Sequence, residues 1–284
     1  MIAHSTHNTP GSFSAGAACQ PGTPSKGHPT SRRQILGVEV NALEPIEAFH
    51  LITDMVEANE SGRAAFMPVH SLITAVREPA FARAIDDFTL VLPDGQPVRW
   101  LLNLRYKTGL IKRVYGPAMM WRLCEWAAAE RVPIYLFGGR PEVLPKLEQA
   151  LRDAFDTIEI AGSESPPFGP LSDQQVDEAA ARITASGARM VFIGLGCPKQ
   201  ELIADRLKNK LAGVQLCVGA AFDFHAGAVS MAPRWMQRRG LEWLYRLVKE
   251  PRRLWRRYLV TNTLFLLLCC KEVVLPRRRP TTAS

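Results

Sequence analysis

The chain lacks several features that would place a protein at once in a structural or functional class. Its 284 residues include six cysteines, none in a C-x-x-C pair and none near a histidine cluster, so a structural zinc site is not expected. Most cysteines lie in apolar segments, which is typical of reduced thiols in the cytosol. No apolar run marks a signal peptide at the N-terminus. The run Leu264–Cys270 is well short of the roughly 20 residues of a spanning helix, so we expect no transmembrane span.

Positive charge is concentrated at the C-terminal end of the chain. The formal net charge is +8, and from Arg234 onward thirteen Lys or Arg accompany three Glu, so the rest is close to neutral. This excess predicts an anionic partner, which is nucleic acid, membrane lipid or a phosphorylated substrate. No helix-turn-helix, RNP or zinc-finger pattern supports nucleic acid. Trp and Tyr among the arginines favour an anionic membrane interface, and the alternative is a solvated basic face with its aromatic stripe packed on the core.

Three parts follow one another along the sequence. Residues 1–33 are rich in Ser, Thr, Gly, Pro and His and are expected to be disordered. In residues 34–232, apolar segments of strand length alternate with helical patterns, which predicts an α/β core whose mostly parallel sheet has helices on both faces. Residues 233–284 are expected to form a basic, aromatic-rich helical appendage, in which Pro251 starts a second, short helix.

Several element bounds follow from the pattern. A single helix that carries both Leu72 and Ile85 is expected to have Ser71 as its N-cap, and Ser172 is expected to cap another. Strands are expected at Ile35–Leu43, Ala64–Val69, Thr89–Leu92, Val132–Phe137, Thr157–Ala161, Val214–Ala220 and in the segment that starts at Val191.

Candidate ligand-binding segments follow three of these strands. In parallel sheets ligands bind beyond the carboxyl ends of the strands, which places Asp94, Gly138-Gly139 and Gly194–Gln200 on one rim. Gly194 and Gly196 lead into a polar helix start at Lys199 and Gln200, which is how α/β proteins present backbone N–H groups to a phosphate. A tight strand-to-helix turn explains the same glycines without a ligand.

The side chains that could carry chemistry each have a structural alternative. Asp94, in Leu-Pro-Asp-Gly, is a candidate general base or a turn aspartate that bonds its own backbone. His70 is a second acid/base group, a sugar-binding donor or a structural hydrogen-bonding residue. Asp223 and His225 bind substrate or shape the turn after the last strand.

The order of several motifs resembles the WecG/TagA/CpsF glycosyltransferases over about residues 36 to 270. The matching segments are Asp94-Gly95, Gly194–Glu201, Val218–Phe224, Ala232-Pro233, and Gly240–Arg246 with Glu250–Arg253. The resemblance implies a Rossmann-like α/β core with a C-terminal helical appendage. It also implies an inverting transfer of a sugar from a UDP-sugar to an undecaprenyl-diphosphate-linked saccharide, in the biosynthesis of exopolysaccharide, common antigen or a teichoic acid linkage unit.

The resemblance also implies roles for individual residues. Asp94 would deprotonate the acceptor hydroxyl, and Gln200 with its turn would contact the donor. Appendage arginines would meet a diphosphate: Arg246, Arg252, Arg253 and Arg256. The remaining residues of the expected substrate site are His70, Gly138, Gly194, Gly196, Lys199, Asp223 and Arg234.

The expected partners are the UDP-sugar, the polyprenyl-diphosphate-linked acceptor and an anionic membrane surface, with no nucleic acid. The protein would act as a peripheral protein at the cytoplasmic face of the bacterial inner membrane. No cofactor beyond the donor and no metal is expected, since Asp86-Asp87 lacks the spacer of a DxD motif. Self-association into a homo-oligomer stays open.

Three positions depart from the family pattern, and two rival functions stay in view. Met231 replaces an arginine that many relatives carry, Pro68-Val-His70 stands in place of Thr-x-Asn, and Ala118 replaces an aspartate. These changes indicate a different donor or acceptor preference. A Rossmann-type dehydrogenase or methyltransferase is disfavoured because no G-x-G-x-x-G follows the first strand. A non-catalytic adaptor that acts through its basic tail is the other alternative.

Overall fold

A computed structural model describes residues 32–274. The side chains of Arg253, Arg257, Val273 and Val274 lie outside the described part of the chain. The strands are β1 Arg32–Ile35, β2 Val38–Asn41, β3 Gly62–Met67, β4 Leu90–Pro93, β5 Ile134–Gly138, β6 Ile160–Glu164, β7 Met190–Gly194 and β8 Val214–Cys217. The helices are α1 Pro45–Glu57, α2 Val69–Arg77, α3 Pro79–Asp86, α4 Gln96–Tyr106, α5 Gly116–Ala129, α6 Leu144–Ala154, α7 Asp173–Ala185, α8 Lys199–Leu207, α9 Ala221–His225, α10 Arg234–Arg238, α11 Glu242–Lys249 and α12 Pro251–Val274.

Six of the described strands form one parallel sheet in the order β4-β3-β8-β7-β5-β6. Alternate residues of these strands enter two separate apolar cores, as the period of two in a strand requires. Met67 and Ile193 lie in one core with α2, α3, α7 and α8. Phe66 and Phe192 lie in the other with α1, α5 and α6. The α/β prediction, with helices on both faces of a parallel sheet, is confirmed.

The chain leaves two neighbouring strands in opposite directions at the centre of the sheet. From β5 it crosses through α6 to β6, and from the adjacent β7 it crosses through α8 to β8. The two helices lie on opposite faces, since Leu147 packs in one core and Ile203 in the other. Such a reversal opens a crevice at the carboxyl ends of the strands, which is where ligands bind in open α/β sheets.

The first predicted strand is wrong. Ile35–Leu43 is not one strand: β1 and β2 form an antiparallel hairpin outside the main sheet, with Leu36 and Gly37 at positive φ in the turn. β1 begins at Arg32, two residues before the predicted boundary of the core. Residues 1–31 lie outside the described residues, so disorder there stays a prediction.

Helix bounds near the second strand also differ from those expected. The helix expected through Leu72 and Ile85 is two helices, because Glu78 precedes a proline and takes an extended backbone. Ser71 lies inside α2, whose N-cap is Pro68. In contrast, Ser172 caps α7 as expected, in a capping box with Gln175.

Strand β6 begins three residues later than predicted, at Ile160. Ile134 pairs with Ile160 but Tyr135 pairs with Gly162, so the ladder with β5 shifts at this point. The register irregularity left no mark in the apolar pattern of the sequence.

The appendage is helical, as predicted, and its last helix starts at Pro251 and returns to the core. That helix was expected to be short, but α12 is 24 residues long. Phe265 of α12 is 7% exposed and packs with the core of α2 and α3. Glu272, near the end of α12, accepts the backbone N–H of Leu36 at 2.8 Å and pairs with Arg105 at 2.7 Å. Among the described residues, no helix has the length and apolar character needed to cross a membrane.

Candidate active site

A cavity of about 1530 Å³ opens at the carboxyl ends of the sheet, under the appendage. Its walls come from the loops after β3, β4, β5, β7 and β8, from α4, and from α11 and α12. The expected rim is therefore confirmed for Asp94, Gly139 and Gly194–Gln200 and is wrong for Gly138. Eight of the predicted site residues line it: His70, Asp94, Gly194, Gly196, Lys199, Gln200, Asp223 and Arg246.

The other predicted residues lie elsewhere. Arg234, Arg252 and Arg256 are exposed and are not among the residues that line the cavity. Gly138 is buried in β5, and the side chain of Arg253 lies outside the described part of the chain. Of the three departures from the family pattern, His70 lines the cavity, whereas Met231 and Ala118 are exposed and do not.

Asp94 directly follows β4, at the point where the chain turns into α4. Gly95 has a φ of +87°, a conformation that glycine adopts without a Cβ clash. The carboxylate accepts the backbone N–H groups of Gly116 and Gly95. Burial raises the pKa of Asp94 to about 6, and the charge of Glu242 adds to this while Arg113 opposes it. The structure therefore gives Asp94 the backbone bond of a turn aspartate and also a place in the cavity wall.

Three residues beside Asp94 form a hydrogen-bonded cluster that the sequence did not reveal. Arg113 Nη2 donates to Glu242 Oε2 at 2.5 Å, and the Tyr115 hydroxyl donates to Glu242 Oε1 at 2.7 Å. The Arg113 guanidinium also lies 4.2 Å from the centre of the Tyr115 ring. Glu242 belongs to one of the motifs that carried the resemblance, but Arg113 is 129 positions away, and no local pattern links the two.

Burial and the charges within this cluster shift the pKa values of Arg113 and Tyr115. Burial opposes the charged form of Arg113, but the carboxylates of Asp94 and Glu242 outweigh it and raise the pKa of Arg113. Burial and then Glu242 raise the pKa of the Tyr115 hydroxyl. Arg113 therefore stays a cation and Tyr115 a neutral donor.

The turn after β7 is held by Gln200. Its Oε1 accepts the N–H of Gly196 at 3.3 Å, and its own backbone N–H donates to the carbonyl of Gly196 at 3.1 Å. Its Nε2 donates to Glu201 at 2.9 Å and to the carbonyl of Cys217 at 3.2 Å. The carboxamide thus joins the glycine turn to the end of β8, while Lys199 beside it is exposed on the cavity wall.

Glycines allow close packing beside this turn. A Cβ on Gly138 would lie 2.7 Å from the carbonyl carbon of Gly194, and a Cβ on Gly194 would lie 2.5 Å from the ring of Phe222. The role that the structure gives Gly138 is the close approach of β5 to β7.

Of the two candidate residues after β8, one lines the cavity and the other is packed within the fold. Asp223 lines the cavity, and its Oδ1 accepts Arg140 Nη2 at 3.4 Å. His225 Nε2 lies 2.8 Å from the carbonyl oxygen of Pro117, and its ring lies 4.9 Å from that of Trp121. Burial lowers the pKa of His225. His225 therefore shapes the turn, which was one of its two predicted roles.

Arg246 is the one predicted appendage arginine whose described side chain lines the cavity. Its guanidinium carbon lies 5.6 Å from the centre of the Phe224 ring. Its Nε is buried without a hydrogen-bond partner among the described residues. Within residues 32–274, His, Cys, Asp and Glu side chains form no group of three or more that could hold a metal ion.

Comparison with known protein families gives one match that covers most of the chain. The model of the "Glycosyl transferase WecG/TagA/CpsF family" matches residues 33–279. Its range includes the cavity and the appendage, and it favours glycosyl transfer over the dehydrogenase, methyltransferase and adaptor alternatives.

Proposed function

The chain belongs to the WecG/TagA/CpsF family of glycosyltransferases, and on that premise we propose that it moves a sugar from a UDP-sugar to an undecaprenyl-diphosphate-linked saccharide. The product would be an intermediate of exopolysaccharide, common antigen or teichoic acid linkage unit biosynthesis. The observation that carries the proposal is Asp94, a partly buried carboxylate with a pKa of about 6 on the wall of a large cavity.

The proposed reaction is a single displacement at the anomeric carbon. Asp94 takes the proton of the acceptor hydroxyl, whose oxygen attacks that carbon while the bond to UDP breaks, so the configuration inverts. A general base works best when its pKa lies near the working pH, and a pKa of about 6 keeps Asp94 ionised at neutral pH while preserving its basicity.

The size of the cavity supports binding of two substrates at once. Pockets for drug-sized ligands enclose roughly 300–1,000 Å³, and this cavity encloses about 1530 Å³. We propose that the donor lies against the Gly194–Gln200 turn and that the saccharide end of the acceptor reaches Asp94 from the side of α11.

Cationic side chains support departure of UDP without a metal ion in this proposal. Arg246 presents a buried, unpartnered Nε at the cavity, and Lys199 lies at the first turn of α8, where the helix dipole also favours negative charge. Preorganised cations of this kind stabilise charge that develops on a leaving group.

The outer surface of the appendage supports a peripheral position on an anionic membrane. Trp255 and Leu259 lie one turn apart on one side of α12 and are 47% and 62% exposed. Arg252 and Arg256 are exposed at the N-terminal end of the same helix. Exposed aromatic and apolar groups beside arginines suit the interface of an anionic bilayer.

A two-step assay with the purified full chain tests the proposed reaction. First, a panel of UDP-sugars is screened for thermal stabilisation, with NAD and S-adenosylmethionine as competing ligands. A UDP-sugar at 100 times its Kd should add about 2.7 kcal/mol to the free energy of unfolding.

The stabilising donor is then supplied with a polyprenyl-diphosphate-linked saccharide, and the anomeric configuration of the product is read by NMR. We expect transfer with inversion. Transfer with retention, or stabilisation by NAD or S-adenosylmethionine instead of any UDP-sugar, would contradict the proposal.

A further inference from the structure

Glu242 connects the appendage to the surroundings of Asp94. It is the first residue of α11, and both of its carboxylate oxygens are bound by core residues that precede α5: Oε2 by Arg113 and Oε1 by Tyr115. The side chains of Arg113 and Glu242 are only 11% and 15% exposed. The ion pair is therefore shielded from solvent and depends on α11 lying against the core.

Arg113 is influenced by two carboxylates, one from the core and one from the appendage. The charges of both Asp94 and Glu242 act on its guanidinium. Among the described residues, the carboxylate within ion-pair distance of Arg113 is that of Glu242 and not that of Asp94. A single buried cation beside two anions can form a close, hydrogen-bonded pair with one of them and leave the other available to a ligand.

We propose that Glu242 is a positioning residue that holds Arg113 away from Asp94, so that Asp94 is an available base only while α11 is docked on the core. When α11 moves away, Arg113 loses Glu242 and turns to the carboxylate that remains. A direct Arg113–Asp94 pair then occupies the oxygens that must accept the proton of the acceptor hydroxyl. This coupling rests on the proposed role of Asp94 as the base.

The direction of the effect follows from the charges that surround Asp94. An opposite charge within about 4–6 Å lowers the pKa of an aspartate by about 1–3 units. Loss of Glu242 removes a negative charge that raises the pKa of Asp94 and frees a positive one that lowers it. Other titratable or charged groups also line the cavity. They are His70 of α2, Tyr115 before α5, Arg140 after β5, Cys197 before α8, Lys199, Asp205 and Arg206 of α8, Cys217 of β8, Asp223 of α9, Arg246 of α11, and Tyr258 and Cys269 of α12.

The experiment compares the pH dependence of kcat/KM in the wild type, Glu242→Gln and Arg113→Gln. Glu272→Gln is the matched control, because Glu272 also ties the appendage to the core through a partly buried arginine pair, with Arg105. In the wild type we expect kcat/KM to fall as the pH drops through about 6.

In Glu242→Gln the acid limb should move to lower pH by at least about one unit. The plateau of kcat/KM should fall about tenfold or more, because a large part of the contribution of the general base is lost. In Arg113→Gln the acid limb should move up.

A role for Glu242 as a mere brace predicts a different result. In that case Glu242→Gln would lose activity, but the acid limb of its pH profile would stay where it is in the wild type. Glu272→Gln is expected to keep that limb in any case. An unshifted limb in Glu242→Gln would therefore show that the proposal is wrong. If Glu242→Gln does not fold, Arg113→Gln decides, since an unchanged or lowered acid limb contradicts the proposal. Asp94→Asn distinguishes failure of the proposed function from failure of the coupling. If Asp94→Asn retains full activity, the assignment of Asp94 as the base fails. If Asp94→Asn is inactive and the acid limb of Glu242→Gln is unshifted, only the coupling is overturned.

Discussion

Glu201 carries a carboxyl group that is fully buried in the first turn of α8. Its Oε1 accepts Gln200 Nε2 at 2.9 Å, and its Oε2 has no hydrogen-bond partner among the described residues. Burial raises the pKa of Glu201 to about 7, against the opposing effect of the Gln200 hydrogen bond. The folded protein therefore keeps this proton at pH values where the unfolded chain has released it.

This difference makes stability depend on pH in a defined direction. A carboxyl with a raised pKa in the folded state contributes no penalty below its unfolded pKa of about 4.5, and the penalty is complete above about 7. Relative to the wild type, Glu201→Gln should therefore gain on the order of 3 kcal/mol of unfolding free energy between pH 4.5 and pH 8. Denaturant titrations across this range measure it. Glu178→Gln, on the exposed face of α7, is the control and should run parallel to the wild type. A parallel Glu201→Gln curve would show that burial does not hold the proton.

At the scale of single residues, local sequence patterns predicted some of the site residues. Residues whose partners are far away in the sequence could not be predicted. Asp94 was found because a strand ends in Asp-Gly, a pattern visible within a few positions. Arg113 was not found, since its partner is 129 positions away and nothing around it differs from an ordinary exposed loop. Gln200 was expected to contact the donor, which stays a prediction, and the structure shows that its carboxamide closes its own turn.

At the scale of secondary-structure elements, the approach of β5 to β7 depends on glycine at one position. Gly138 has a φ of +123°, and the atom that an added Cβ would meet at 2.7 Å is backbone of Gly194, which cannot rotate away. Gly169 in the loop before α7 has a similar φ of +115° but no atom within 4 Å of an added Cβ. The two glycines share the conformational constraint and differ in the steric one.

Alanine at these two positions separates the two constraints. Gly169→Ala should cost about 1–2 kcal/mol of unfolding free energy from its left-handed backbone alone. Gly138→Ala should add about 1–3 kcal/mol for the overpacked strand pair. It should also weaken donor binding if the Gly194–Gln200 turn binds the donor as proposed, because this turn follows β7, which pairs with β5. Chemical denaturation of both variants measures the costs. Equal losses would mean that the strands separate without resistance.

Helices and strands with a clear apolar pattern or a capping residue were predicted well. Element bounds that depend on a local backbone conformation or on strand pairing were not. The apolar pattern gave the parallel sheet, and Ser172 gave the start of α7. The same pattern ran through the hairpin turn at Leu36-Gly37 and through the break at Glu78, since apolar residues continue on both sides of each. The start of β6 depends on a register shift against β5, which exists only once the strands pair.

At the scale of the whole molecule, the appendage has one face on the core and another in solvent. Leu254 and Phe265 of α12 are buried, while Trp255 and Leu259 are exposed. Truncation of the chain before α10 would therefore uncover core residues as well as remove the basic surface. Point substitutions on the exposed face test membrane binding without that complication.

Trp255→Glu with Leu259→Glu should weaken flotation of the full chain with anionic vesicles by about tenfold or more, because burying one such side chain is worth roughly 1.5–3 kcal/mol. Ile46→Glu, at an apolar site of α1 that is 39% exposed, is the control and should float like the wild type. Binding should also weaken as the salt concentration rises, since the arginines act through a screened attraction. Unchanged flotation of the double variant would place the membrane contact elsewhere.

The whole-molecule arrangement was partly visible in the sequence. The change in net charge from a nearly neutral core to a basic C-terminal segment predicted the boundary between core and appendage. The family resemblance predicted that the appendage helps to form the site. That α12 returns to Leu36 and Arg105 near the start of the chain was not visible, since these contacts join residues more than 160 positions apart.

Asp94→Asn tests the central claim most directly. Asparagine keeps the size of the side chain and removes its ability to take a proton, so turnover with the preferred UDP-sugar and the lipid-linked acceptor should fall by about 100-fold or more. Donor binding, followed by thermal stabilisation, should stay close to that of the wild type. A loss of turnover smaller than about tenfold would contradict the assignment of Asp94 as the base.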